Sequence, residues 1–231
     1  MDMKEFTPIF TERATNILAP EFREAVQEIS ASLKEIYNAH SVIVLPGSGT
    51  FGMEAAARQF AVDKKVLVIS NGFFGERWNK ILVQGNIANQ IEVLKAEKKN
   101  RKYYPPNITE VLKKIEEYQP QVIFITHVET STGIMLPEEY IQKITQKARQ
   151  YNGLVIIDAI ASGNVWLNMK ELDIDILLTA PQKGLSAHAG CAILLLNETA
   201  RNRLPETKSA SLSLDLREWM KVMEWFEGRD F

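Results

Sequence analysis

Residues 41–60 read SVIVLPGSGTFGMEAAARQF. The run 41–45 (SVIVL) is apolar and β-branched, as a buried strand is. It is followed at once by Gly47-Ser48-Gly49-Thr50-Phe51-Gly52, and then by a helix-like stretch, 53–60. A strand that passes through a glycine loop into a helix is the unit of an open α/β sheet. Six further apolar runs repeat the theme downstream: 65–70 (KVLVIS), 90–95 (QIEVLK), 121–127 (QVIFITH), 154–158 (LVIID), 175–179 (DILLT) and 191–196 (CAILLL). They mostly lack strict alternation, which predicts strands covered on both faces. Stretches with apolar residues three and four apart lie among them, clearest at 21–37, 53–60, 108–118 and 137–151. The expected fold is therefore α/β, a seven-stranded, mostly parallel sheet with helices on both faces. The link 180–190 between the last two strands has little helical character. A parallel crossover would need a helix there, so this pair is expected to be antiparallel and the sheet mixed.

Composition agrees with a globular chain and removes several classes. The 231 residues are 45% apolar and 24% charged, so disordered and collagen-like readings fail. Lys and Arg number 27 against 29 Asp and Glu, for a net charge of -2, which offers no electrostatic case for nucleic acid or an anionic membrane. One cysteine permits no internal disulfide and suits a reducing cytosol. The opening MDMKEFTPIFTERA has acids and a proline where a signal peptide needs an unbroken apolar stretch. No run reaches the ~18 apolar residues of a membrane span. A cytoplasmic home is the expectation. Three parts are expected: residues 1–40 as an N-terminal segment and helix, 41–204 as the main domain, and 205–231 as a linker leading away. Within the last part, Leu216, Trp219, Met220, Met223 and Phe226 form a helical stripe that needs a partner.

The glycine loop fits G-x-G-x-x-G, and a helix opening there points free N–H groups and a positive helix end at an anion. A dinucleotide site would need an acid at the end of the next strand, yet that strand ends Val68-Ile69-Ser70-Asn71. No Lys-Ser/Thr pair follows the glycines, which excludes a P-loop. Two readings stand: a phosphate cradle of Ser48, Gly49 and Thr50, or glycines that serve only a tight turn. Asp158 ends the fifth strand, where a buried carboxylate needs a cation or a donor to meet; taken alone, it reads equally as a structural cap on the loop that follows. Lys183 follows the sixth strand, held between Pro181 and Gly184. All three map to the C-terminal rim, where ligands bind in open α/β sheets. An anion cradle, a buried acid and a held lysine together are what pyridoxal phosphate requires, for its phosphate, its ring nitrogen and its aldehyde.

The stretches PGSGTFGMEAA, VLVISNGFFGER, THVETSTGIMLP, VIIDAIASGN, DIDILLTAPQKGL and AGCAILLL carry a resemblance, in order and at family spacing. The sequence resembles the class V, fold-type I pyridoxal-phosphate aminotransferases, most of all their alanine–glyoxylate / serine–pyruvate branch. The Gly-Ser-Gly-Thr-Phe loop also looks like that of the 2-aminoethylphosphonate aminotransferases. The resemblance implies Lys183 as the Schiff-base lysine and Asp158 as the partner of the ring nitrogen, with Ser48, Gly49 and Thr50 at the phosphate. It places Phe74 against the cofactor ring and Ile160 on the ring's other face. Thr130 would approach the ring hydroxyl, and Gln182 would be a polar contact beside the lysine. For Phe74 the alternative is plain packing at a helix start; for Thr130 and Gln182 it is turn and loop hydrogen bonding. The resemblance also implies a homodimer acting on a small amino acid and a 2-oxo acid. Family members continue into a small domain carrying the arginine that grips the substrate carboxylate, so this chain is expected to be the cofactor-binding portion. A non-catalytic cofactor- or protein-binding domain is the competing expectation. Among other residues, Cys191 reads as core and Arg77 as a support for its loop or a subunit contact. His127 reads equally as a core histidine or a neighbour of the site.

Overall fold

Val- and Ile-rich runs closed by polar loops become strands, and the amphipathic stretches between them become helices, in a computed structural model that describes residues 15–228. In chain order these are α1 (Pro20–Tyr37), β1 (Ser41–Pro46), α2 (Gly49–Phe60), β2 (Lys65–Ser70), α3 (Phe73–Gln84) and β3 (Gln90–Lys95). A hairpin of β4 (Glu97–Lys99) and β5 (Lys102–Tyr104) precedes α4 (Ile108–Tyr118) and β6 (Val122–Thr126). A second hairpin, β7 (Val128–Glu129) with β8 (Ile134–Met135), leads to α5 (Glu138–Arg149) and β9 (Leu154–Asp158). The chain continues through β10 (Ile176–Thr179), β11 (Cys191–Leu196), α6 (Glu198–Arg203) and α7 (Leu216–Phe226). The stretch MDMKEFTPIFTERA lies outside the described residues.

The main sheet has seven strands in the order β1-β11-β10-β9-β6-β2-β3. β11 runs antiparallel to both β1 and β10, while β10, β9, β6, β2 and β3 pair in parallel. The expected mixed sheet and its antiparallel last pair are both present. Because β11 alone is reversed, β1 points with the parallel set, and the loops after β1, β2, β6, β9 and β10 open on one rim.

Side-chain alternation sends successive residues of each strand to opposite faces. One face packs Ile43, Val68, Phe124, Ile156, Leu178 and Leu194 against α2, α3 and α7. The other packs Val42, Ile69, Ile125, Ile157, Leu177 and Leu195 against α1, α4 and α5. Trp78 of α3, fully buried, stacks on Phe124 at 4.3 Å between ring centroids. At the opposite edge of the sheet from the rim, buried Asp175 accepts hydrogen bonds from Val155 N–H (2.7 Å), Arg149 (3.0 Å) and Asn197 (3.0 Å). Such a carboxylate is tolerated because three donors meet it, one of them the Arg149 guanidinium.

Four expectations need correction. β3 is an edge strand whose residues alternate between half-buried and exposed, so it is not covered on both faces. Its flanking Gln90, Glu92 and Lys95 suit an edge. The stripe on α7 finds its partner within the chain: Leu216, Met220, Met223 and Phe226 are buried, and α7 lies against β1 and α1. Arg23 of α1 donates to the carbonyls of Phe226 (3.0 Å) and Trp225 (2.9 Å), closing the end of α7. Cys191 is half-buried rather than core, because it borders an open apolar groove of about 780 Å³ between α1, α7 and the β1–β11 edge. Finally, α3 was not singled out by periodicity, because exposed Phe73 and Val83 blur its apolar face. Among the described residues no helix is long and apolar enough to cross a membrane.

Candidate active site

The chain leaves β1 through Pro46 and Gly47, and Ser48 takes an extended backbone (φ −131°, ψ 173°) that caps α2 without a side-chain bond. Gly52 N–H reaches back to Ser48 O at 3.1 Å, which starts the helix and leaves the amides of Gly49, Thr50 and Phe51 without acceptors among the described residues. Glycine at position 49 lets Ile160 pack close, since a Cβ there would lie 2.4 Å from Ile160 Cδ1 and push the end of that side chain aside. That approach carries the loop after β9 over the first turn of α2.

Asp158 closes β9 in register with Thr126 of β6 and Leu178 of β10. It is 4% exposed and accepts a 3.0 Å bond from Ile160 N–H. Burial pushes its carboxyl up to about 6; the nearby Glu129 carboxylate adds to the rise, while the Ile160 bond and the Arg77 charge oppose it. Beside it the Thr126 hydroxyl is buried with no hydrogen-bond partner. Lys183 lies on a turn closed by Ser186 N–H to Lys183 O (3.1 Å) and Ala187 N–H to Pro181 O (2.9 Å). Gly184 permits this turn to touch the loop after β9, since a Cβ there would sit 2.3 Å from Gly163 O.

The third wall is set by Glu129, a fully buried carboxylate at the N-terminus of α3. It accepts from Phe74 N–H (3.0 Å), Gly75 N–H (2.9 Å), and Ser131 N–H (3.2 Å) and Oγ (2.6 Å). This fixes Phe74 beside the loop that carries Thr130. The α3 terminus thus already holds an anion from within the chain, and the α2 terminus does not.

Ser48, Gly49, Thr50, Phe74, Thr130, Asp158, Ile160, Gln182 and Lys183 all line one cavity of about 180 Å³. The apolar groove is larger, so size does not locate the site; the convergence of polar groups does. The sequence reading missed Thr126 and Arg77, which line the same cavity. Beyond supporting its loop, Arg77 faces the cavity and donates to Thr50 Oγ1 at 2.7 Å. Its spacing of three from Phe74 on one helix face was the available signal. His127 is buried, with Nδ1 2.9 Å from Ser162 Oγ and its pKa lowered by burial. It belongs to the packing under the site and does not line the cavity.

The family model for class-V aminotransferases matches residues 10–224. The chain belongs to the class-V aminotransferases. The 2-aminoethylphosphonate–pyruvate transaminase of Bacillus cereus is 30% identical over 216 residues, which cover 90% of this chain and 56% of that one. Alanine–glyoxylate aminotransferase 1 of Saccharomyces cerevisiae is 28% identical over 226 residues, covering 91% and 57%. An aspartate aminotransferase of subgroup IV from Thermus thermophilus superposes with a TM-score of 0.78 at 25% identity, over 93% of this chain and 59% of that one. The chain thus spans just over half the length of the relatives it matches. Both branches suggested by the motifs stand among them.

Pyridoxal phosphate is the cofactor of the class-V aminotransferases, and the residues present suit it. The first-turn amides of α2 and the Thr50 hydroxyl meet a phosphate's need for donors. Asp158, raised by burial and held by a single backbone bond, has capacity for a cationic N–H. The Thr126 hydroxyl, buried and without a partner among the described residues, marks a further polar contact.

Proposed function

We propose that residues 41–204 form the pyridoxal-phosphate site of an aminotransferase, with α7 packed against its β1 edge rather than leading away from it. The observation that carries this reading is the meeting, around one cavity, of the free α2 amides, Asp158 and Lys183. Ser48, Gly49 and Thr50 would hold the phosphate, and Phe74 and Ile160 the two faces of the ring. Asp158 would keep the ring nitrogen protonated, with Thr130 and Gln182 as polar contacts at the ring's edge. Lys183 Nζ would hold the cofactor through its aldehyde carbon and, once displaced there by the substrate amine, would be the free base that moves the proton at the substrate Cα. When bound, the cofactor supplies an electron sink for the pair left by that proton.

The reaction proposed for the whole protein is transfer of an amino group from a small amine donor to a 2-oxo acid. The relatives' names support pyruvate or glyoxylate as the acceptor, and alanine or 2-aminoethylphosphonate as the donor. A homodimer belongs to the same proposal, supported by the apolar groove along α1 and α7 that the described residues leave open. So does a cytoplasmic home, supported by the lone cysteine.

Titration with pyridoxal phosphate tests the reading. The protein should give a saturable visible absorption band and an induced circular-dichroism signal, neither seen with free cofactor. A spectrum equal to the sum of protein and free cofactor would contradict it.

A further inference from the structure

The guanidinium of Arg77 is half-buried, faces the cavity, and is not held by a carboxylate among the described residues. Four other arginines of the chain are in ion pairs: Arg58 with Glu54, Arg149 with Asp173 and Asp175, Arg201 with Glu224, and Arg217 with Asp215. For Arg77 the only hydrogen bond among the described residues is to Thr50 Oγ1, at 2.7 Å. Its remaining N–H groups are therefore available. The guanidinium carbon lies 4.8 Å from the Phe74 ring centroid and 5.5 Å from that of Phe73, so two aromatic faces fix it without neutralising it. Its charge also acts on Asp158 across the cavity.

The bond to Thr50 has a second consequence. Thr50 Oγ1 accepts from Arg77, so its own proton is free to turn toward the cavity. Thr50 stands in the first turn of α2, whose amides at positions 49–51 lack acceptors. Guanidinium, hydroxyl and amides therefore lie beside one another on the wall of one cavity. Planar guanidinium donors match phosphate oxygens, and a full positive charge offsets a dianion where helix amides supply only partial charge.

We propose that Arg77 is a binding residue for the cofactor's phosphate, completing the seat that the α2 amides begin and orienting the Thr50 hydroxyl toward the same anion. This rests on the cofactor reading above and goes beyond it, because neither the glycine loop nor the family motif assigned Arg77 to the anion.

The test compares the parent, Arg77→Gln and Arg77→Lys in spectral titrations with pyridoxal 5′-phosphate and with pyridoxal, which lacks the phosphate. Loss of a charge-assisted contact should weaken binding of the phosphorylated form about ten- to a hundred-fold in Arg77→Gln. Pyridoxal binding should be unchanged, and Arg77→Lys should fall between parent and Gln variant. Equal weakening for both ligands would overturn the proposal, since it would mean that Arg77 only braces Phe74. Unchanged binding of both would overturn it too. Thermal protection by inorganic phosphate provides an arm independent of the cofactor: a rise in Tm is expected for the parent and none for Arg77→Gln. Failure of the parent to bind either pyridoxal form, with phosphate protection still dependent on Arg77, would sink the cofactor reading and leave the anion seat standing.

Discussion

Replacing Glu129 by alanine should lower the stability of the fold by about 3–5 kcal/mol, a large share of what a domain possesses. The side chain is fully buried and accepts from three backbone amides and one hydroxyl, drawn from the first turn of α3 and from the turn at Ser131. Removing it leaves those donors without acceptors in a place water does not easily reach, and each orphaned group costs about 1–3 kcal/mol. It also removes a negative charge from the N-terminus of α3, where the helix dipole favours one. Glu129→Gln keeps the shape and one acceptor oxygen, so it should cost clearly less. Urea unfolding at neutral pH measures both. An alanine variant within experimental error of the parent would show that the Phe74 and Thr130 loops hold themselves in place.

Asp158→Asn should do the reverse in the cofactor-free protein. The carboxyl sits near 6 when folded, against about 3.9 in an unfolded chain. The folded state therefore binds more protons between those values, and the parent loses stability as pH rises from about 4 through about 6. About two units correspond to at most about 3 kcal/mol above that window. Asparagine does not titrate, so the variant should be the more stable protein at pH 8 and should lose that advantage at pH 4. Other groups titrate alike in both and cancel. With cofactor bound the order should invert, because the aspartate then has a cation to face. In the whole protein, transamination should fall by orders of magnitude, since the ring would lose the charge that draws electrons from the substrate. A stability difference independent of pH would show that burial does not set this group.

The sheet was legible because six of its seven strands are covered on both faces, and such strands announce themselves as short Val/Ile/Leu runs. The seventh, β3, carries the same residue types, but its neighbours determine that it is an edge, and composition does not report neighbours. Helix α4 matched its expected bounds, with Asn107 accepting from Thr109 N–H at 2.9 Å to start it. Helix α3 was obscured because Phe73 is apolar yet exposed. The same kind of division appears in the site. Ser48–Gly49–Thr50, Asp158 and Lys183 are visible because each follows a strand and has a distinctive chemical type. Thr126 was invisible as a site residue because a threonine at a strand end is ordinary; what distinguishes it is a buried hydroxyl with no partner. Glu129 and Arg77 act through bonds to positions far away in sequence, from β7 to α3 and from α3 to α2. Such pairings exist only once the chain is folded.

The most direct measurement locates the lysine at which the cofactor attaches. The protein should be incubated with pyridoxal phosphate, reduced with borohydride and digested, and the modified lysine located by mass spectrometry. The Pro181–Gly184 turn and its contact with Gly163 hold Lys183 on the rim that also carries Asp158 and the α2 terminus. One modified site is therefore expected, at Lys183, with the visible band lost on reduction and no specific label in Lys183→Ala. Label scattered over surface lysines, with Lys183 unmodified, would contradict it.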